Sequence, residues 1–282
     1  MVGEKGNKEP QQINIGAIIS AKWGKKLPRW TVRILERLIH QDEINFILRR
    51  YKNLQGVDFM TALVEYFNIQ IDIVGRENLP QNPRALFISN HPLGGMDGIC
   101  LTHVLGTHYQ SDIRYIVNDL LFNLQPLKKI FVPVNTLGKQ SRVGLERLQE
   151  ELSSSLPVIT FPAGVCSRRI YGKIQDLEWK KSFIRMSVDY QRDIIPIFFE
   201  GYNTCHFYKI EQARRKMGMK FNIGTVLLPD EMFRSKGKRY KIYFGEPIPY
   251  TALQTSTKNT KELALELRNI VYKLPDAQNS SL

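Results

Sequence analysis

The chain is poor in cysteine, in long apolar runs and in acidic residues, and each shortage closes off a class of protein. Its three cysteines, Cys100, Cys166 and Cys205, are scattered through 282 residues with no Cys-x-x-Cys pair. That spacing excludes a disulfide framework and argues for a reducing compartment. Apolar runs such as ALFI at 85–88 and IIPIFF at 194–199 fall far short of the roughly 20 residues of a membrane-spanning helix. Any membrane contact is therefore expected to be peripheral, with no transmembrane helix. The opening MVGEKGNKEPQQ is polar, so no signal peptide is expected, and Val2 stands where myristoylation needs glycine. Histidines are few, and His103 and His108 are five apart, which is the wrong spacing for a metal pair on one helix face. No metal site is expected. With 27 Asp and Glu against 40 Lys and Arg, the formal charge is +13, which favours an anionic partner.

What is present reads as an ordinary globular protein, with 43% hydrophobic and 24% charged residues. Residues 1–12 and 276–282 read as polar tails, 13–75 as an N-terminal helical element facing a membrane, and 76–275 as one α/β domain. Within the helical element, Ile34, Leu35, Leu38 and Ile39 have helical spacing, and FMTALVEYF at 59–67 forms a second apolar stretch. The preceding AKWGKKLPRW sets Lys22, Lys25, Lys26 and Arg29 beside Trp23 and Trp30. This mixture suits a lipid headgroup interface, and equally a solvated loop with two tryptophans docked on the core.

From residue 84 short β-rich runs alternate with amphipathic stretches. Strands are predicted at 85–90, 113–117, 130–134, 157–161, 193–199 and 241–245, and helices near 98–108, 141–154, 178–191, 205–217 and 260–274. Continuous apolar strands buried on both faces predict a mixed, largely parallel sheet covered by helices. Asn259 and Glu262 form a capping box for the last helix, and Pro275 is expected to lie just beyond its end.

In open α/β sheets, ligands gather where strands end. Four predicted strands run into unusual polar segments: SNHPLGGMDG, NTLGKQSR, PAGVCSRR and EGYNTCHFY. In the first, Asp97 lies six residues after His91, across a Pro-Leu-Gly-Gly turn that can bring carboxylate and imidazole together. A carboxylate accepting one imidazole N–H makes the other nitrogen a general base, suited to a substrate hydroxyl. The alternative is a loop histidine followed by a helix N-cap aspartate.

NHPLGGMDG, then FPAG, then PIFFEGYN, in that order over roughly 70–250, resembles the lysophospholipid and glycerolipid acyltransferases related to 1-acylglycerol-3-phosphate acyltransferase. The resemblance implies an α/β acyltransferase fold and transfer of an acyl group from a thioester to a lyso-lipid hydroxyl. It assigns His91 as base and Asp97 as its orienting partner, and by fold-level analogy it implies membrane-facing helices from the hydrophobic stretch 44–67. It further implies contacts to substrate from Asn90, Gly94, Gly95, Asn135, Lys139, Arg142, Pro162, Ala163, Gly164, Ser167 and Arg168.

Two departures stand out. Five residues, Pro92 to Met96, separate the pair where the family has four, and the Gly94-Gly95 turn is placed to absorb the extra one. The family's Phe-Pro-Glu-Gly-Thr-Arg-Ser reads Phe-Pro-Ala-Gly-Val-Cys-Ser at 161–167, so the phosphate-holding arginine is Cys166. Either Arg168, Arg169, Lys139 or Arg142 replaces it, or the acceptor carries no phosphate monoester. With Trp179, Asn203 and Phe207-Tyr208, the pattern is similar to the hemolysin-like branch, which includes O-acyltransferases of ornithine and glycine lipids.

The partners so implied are an acyl carrier protein or coenzyme A thioester as donor, a lyso-lipid acceptor and an anionic membrane on its cytoplasmic face, with no separate cofactor. Oxyanion donors are expected at the Gly94-Gly95 turn or the Pro-Ala-Gly turn. Two other classes compete. One is a basic nucleic-acid-binding protein, motivated by RRKMGMK at 214–220 and RSKGKRYK at 234–241. No recognition motif accompanies these runs, and the same cations attract anionic lipid at about 1 kcal/mol each. No nucleic acid partner is therefore expected. The other is a catalytically degenerate scaffold, motivated by the altered spacing and the missing glutamate.

Overall fold

The apolar runs of the sequence assemble, in a computed structural model that describes residues 11–23, 28–118, 124–134, 142–219 and 223–279, into one seven-stranded sheet. Its order is β1 (Gln70–Val74), β9 (Arg239–Phe244), β8 (Ile194–Glu200), β2 (Leu86–Ser89), β5 (Val158–Thr160), β3 (Arg114–Asn118) and β4 (Phe131–Val134). All neighbours are parallel except β8 and β9. Strand alternation divides the buried side chains between two faces. Phe87, Ile159, Ile195 and Ile197 join Phe59 and Leu63 of α4 (Gly56–Tyr66) and Ile99 and Leu105 of α5 (Met96–Tyr109). Leu86, Ile88, Val158 and Ile194 join Phe183 of α7 (Ser182–Asp189), Leu253 of α10 (Tyr250–Gln254) and Leu267 and Val271 of α11 (Thr260–Asn279). Burial on both faces is why these strands read as unbroken apolar runs.

Several expectations need correction. Residues 70–74 are not part of a helical element: β1 pairs with β9 from Gln70 opposite Arg239 to Val74 opposite Tyr243, so a boundary at 75 would cut a strand from its sheet. Asp72, paired with Arg239 at 3.0 Å on this edge strand, interrupts the apolar pattern. Nor does most of the apolar surface of the stretch 44–67 point outward, Phe46 excepted. Ile47 and Leu48 of α3 (Gln41–Arg50) and Phe59, Met60, Leu63 and Val64 of α4 are buried in the core. Outward apolar groups lie also on α1 (Ile15–Trp23) and α2 (Arg29–Leu38), where Ile18, Trp30 and Ile34 are exposed.

A hairpin of β6 (Arg168–Ile170) and β7 (Lys173–Gln175) was not predicted, because three-residue strands show no periodicity. Helix α9 (Ile223–Phe233) was not predicted either, since Pro229 lies inside it. The capping box of α11 forms as expected, with Glu262 Oε2 accepting the Asn259 N–H at 2.9 Å and Asn259 Oδ1 accepting the Glu262 N–H at 3.0 Å. The helix then continues through Pro275 to Asn279, so residues 276–279 are helical rather than tail. Burial of Val271 and Leu274 carries it past the proline. At the other end, the expected tail is already docked at Gln11, whose Oε1 accepts the Gln125 N–H at 2.7 Å. Residues 1–10 and 280–282 lie outside the described residues.

Candidate active site

β2 ends at Ser89, and the side chain of Asn90 continues its pairing with β8. Asn90 Oδ1 accepts the Phe199 N–H at 2.7 Å and Nδ2 donates to the Phe199 carbonyl at 3.0 Å. Asn90 is thus occupied by the scaffold rather than by substrate, which corrects its expected role. What it does is deliver His91 at the C-terminal end of the sheet, where the topology places ligands.

His91 is held on every side but one. Its Nδ1–H donates to Asp97 Oδ2 at 2.9 Å, and its ring stacks on Phe161 with centroids 4.0 Å apart. Its backbone carbonyl accepts the Ser167 N–H at 2.7 Å, and its backbone N–H donates to Asp176 Oδ1 at 3.2 Å. The side chain keeps 16% exposure while Asp97 has none. Among the described residues no hydrogen bond engages Nε2, so the lone pair of that nitrogen is left for another partner.

The five-residue spacing closes because Asp97 also gathers the turn. Its Oδ2 accepts the Leu93 and Gly94 N–H groups at 2.9 and 3.2 Å, and its Oδ1 accepts the Gly98 N–H at 2.8 Å. Gly94 has φ +73°, and a Cβ there would stand 2.7 Å from Leu228 Cδ2 and 3.1 Å from Cys166 Cβ. Only glycine fits. Gly95 is extended, with open space at its Cβ position, and it caps α5, so Asp97 lies inside the first turn rather than at the N-cap.

Burial alone would strip the proton from His91. The charge and hydrogen bond of Asp97, aided by Asp176 and opposed by Arg168, outweigh it and raise the proton affinity above that of an ordinary histidine. Burial would likewise favour protonated Asp97, but His91 and the backbone donors of Leu93 and Gly98 win, and its carboxyl lies below the usual range.

The segment after β5 serves chiefly as support. Pro162 accepts the Lys180 N–H at 3.0 Å, Ala163 packs into the core, and Ser167 is 2% exposed with its hydroxyl on Asp176 Oδ1 at 2.6 Å. These three do not present groups to a substrate, contrary to expectation, because the chain folds them inward beneath His91. Arg168 is also buried, paired through Nε with Glu211 at 3.2 Å. Its Nη1 donates to the Cys166 carbonyl at 2.8 Å and to Cys166 Sγ at 2.7 Å. Glu211 also binds Arg214 of α8 (Cys205–Lys216) at 3.1 Å. Arg168 therefore does not replace the missing motif arginine. Cys166 itself is a neutral thiol, its pKa pushed up to about 11 by burial.

Two candidate oxyanion donors are already engaged: the Gly94 N–H by Asp97, and the Gly164 N–H by the Phe161 carbonyl at 2.9 Å. Arg142, at the start of α6 (Arg142–Ser153), is exposed and pairs with Glu146 at 3.0 Å. Asn135 and Lys139 lie outside the described residues. Reading the sequence missed Asp176, which follows the unpredicted hairpin and carries no motif signal of its own. Phe161 was visible as a strand residue and as the first residue of the Phe-Pro-Ala-Gly motif, but not as the ring on which His91 stacks.

Comparisons with known proteins agree with one another. A family model described as Acyltransferase matches residues 17–280. A lyso-glycine lipid O-acyltransferase of Phocaeicola vulgatus is 43% identical over 265 residues, covering 93% of this chain and 95% of that protein. One of the same description from Bacteroides thetaiotaomicron is 42% identical, covering 93% and 97%. Among solved structures, the 1-acyl-sn-glycerophosphate acyltransferase PlsC of Thermotoga maritima superposes with a TM-score of 0.50 at 15% identity, over 93% of this chain and 88% of that one. That likeness concerns the fold.

Proposed function

Because the chain belongs to the acyltransferase family and is an acyltransferase, we propose that it moves a fatty acyl group from a thioester to the hydroxyl of a lyso-aminolipid of the lyso-glycine lipid type. The observation that carries the reading is the His91–Asp97 contact of 2.9 Å with Nε2 left open. Nε2 takes the acceptor's hydroxyl proton as the oxygen attacks the thioester carbonyl. The tetrahedral oxyanion collapses, the C–S bond breaks, and the imidazolium returns the proton to the departing sulfur. Asp97 fixes the tautomer and balances the transient imidazolium.

Two observations favour an aminolipid over a phosphate monoester. Full-length relatives carry that activity in their names. The arginine position of the family motif holds a buried neutral thiol, and Arg168, two residues on, is buried and paired with Glu211. The donor in this reading is an acyl carrier protein or coenzyme A thioester. The setting is the cytoplasmic face of an anionic membrane, reached peripherally, since no helix among the described residues is long and apolar enough to cross one. The basic surface serves lipid and donor, not nucleic acid.

The test is a mass-spectrometric transfer assay in anionic liposomes offering lyso-glycine lipid and lysophosphatidic acid together with acyl thioester. Acylated glycine lipid, lost at least about 10³-fold in His91→Ala with folding intact, is the expected result. Turnover retained in His91→Ala sinks the general-base mechanism. Acylation of lysophosphatidic acid alone sinks the acceptor assignment.

A further inference from the structure

Asp176 is 1% exposed and lies against the backbone of His91. Its Oδ1 accepts two donors, the His91 N–H at 3.2 Å and the Ser167 hydroxyl at 2.6 Å, and its Oδ2 accepts the Trp179 Nε1–H at 2.9 Å. Ser167 in turn donates its own N–H to the His91 carbonyl at 2.7 Å. Histidine, serine and aspartate thus form a closed ring of hydrogen bonds that grips both backbone polar groups of the catalytic histidine. The ring is anchored from outside, because the Asp176 N–H donates to Tyr272 Oη at 2.7 Å and its carbonyl accepts Arg268 Nη2 at 3.0 Å, both from α11.

The chemistry of this carboxylate is unusual. A buried carboxylate is expected to have a cation beside it, yet the donors to its oxygens are a hydroxyl, an amide and an indole, all neutral. No ammonium or guanidinium forms an ion pair with it among the described residues. Arg268 reaches only its backbone carbonyl, and Arg168 is paired with Glu211. The charged and titratable groups facing His91 are Asp97 from α5, Asp176 after β7, and Arg168 from β6. The cation that Asp176 is placed to meet is therefore the imidazolium that His91 becomes during transfer.

We infer that Asp176 is a second positioning carboxylate for His91, clamping its backbone through Ser167 and favouring the imidazolium formed as the acceptor hydroxyl loses its proton. A charge with no full counterion in the resting enzyme gains one only as the proton moves, so its contribution is largest in the transition state. The inference rests on the reading of His91 as base and assigns it a supporting partner that no motif marks. In the resting enzyme, burial pushes the Asp176 carboxyl up, and the donors of Ser167, Trp179 and His91 act against that. The fixed backbone and indole N–H groups can only donate, which requires acceptor oxygens in return.

The experiment is the pH dependence of kcat and donor KM for Asp176→Asn built on Trp179→Phe, compared with Trp179→Phe alone. The background change removes the indole N–H that would oppose the new amide. Expected are a kcat lower by about tenfold or more, an unchanged donor KM, and an acid-limb midpoint lower by about half a pH unit or more, since His91 loses a negative neighbour. A midpoint and kcat equal to the background overturn the inference. Should that variant not fold, Ser167→Ala decides: kcat falling severalfold at constant donor KM supports the clamp, and wild-type kcat overturns it. Loss of activity in His91→Ala with a background-like profile in Asp176→Asn rejects this inference alone. Turnover retained in His91→Ala rejects the underlying mechanism instead.

Discussion

At the scale of single residues, the proposed mechanism requires a neutral imidazole to accept the proton, so in that mechanism the acid limb of activity follows the titration of His91. Asp97 holds that titration above the ordinary histidine value of about 6.5. Activity is therefore expected to fall, on acidification, through a midpoint above that value. Asp97→Asn removes the negative partner. The midpoint should then move down, because burial is left less opposed, and kcat should drop by roughly 10²–10⁴-fold as the tautomer is no longer enforced. A pH–rate profile of both proteins checks this, and an unmoved midpoint would contradict the pairing. Cysteine chemistry is not needed here, since burial raises both the Cys100 and the Cys166 pKa well above neutral.

Among the elements, α2 is the one whose sequence and packing disagree most openly with a purely structural role. Trp30 is 67% and Ile34 56% exposed, one turn apart, with Arg29, Arg33 and Arg37 also exposed. Leu38, at the end of the same helix, packs against the small cluster of Cys166, Phe207, Tyr208 and Leu227 beside the active site. The helix is tied down just beyond its end, where His40 Nε2 meets Asp230 Oδ1 of α9 at 2.9 Å and its ring stacks on Phe233. Apolar and cationic groups held together on a docked helix suit a lipid interface. Trp30→Ser with Ile34→Ser should weaken binding to anionic vesicles by about tenfold or more, given roughly 1.5–3 kcal/mol for each buried side chain. Added salt should weaken the wild type further. Vesicle cosedimentation measures both, and undiminished binding by the double variant would remove α2 from the membrane contact.

Across the whole molecule, the sheet is joined to α6 by one buried cation. Arg192 has no exposure and donates to the carbonyls of Leu152 at 2.7 Å, Leu156 at 2.8 Å, Ser154 at 2.6 Å, Ala85 at 3.2 Å and Glu151 at 3.3 Å. It thereby closes the C-terminal end of α6 against the entry to β2. Burial, with help from Arg84, lowers its pKa to about 10, so it stays charged at neutral pH. Arg192→Met would strand several carbonyls at once and should cost about 3 kcal/mol or more in stability. Denaturant unfolding gives the value, and a loss within about 0.5 kcal/mol would show that water replaces the guanidinium.

The sequence by itself determined the alternation of buried strands and helices, because side chains covered on both faces of a sheet must be apolar whatever the topology. It also marked His91 and Asp97 as able to meet across a glycine turn, but left an N-cap role for Asp97 equally open; the Leu93 and Gly94 N–H groups gathered by Asp97 decided for the pair. Tertiary structure alone decided the rest. β1 became an edge strand because β9, about 170 residues away, offers its pairing. The hydrophobic stretch 44–67 entered the core because α4 packs on α5, and an apolar helix face reads alike whether protein or lipid covers it. Arg168 was withdrawn from the site by Glu211, 43 residues further on, and Asp176 was brought beneath His91 by a hairpin too short to leave a pattern. These outcomes depend on contacts between distant segments, and a local pattern carries no record of the partner it will meet.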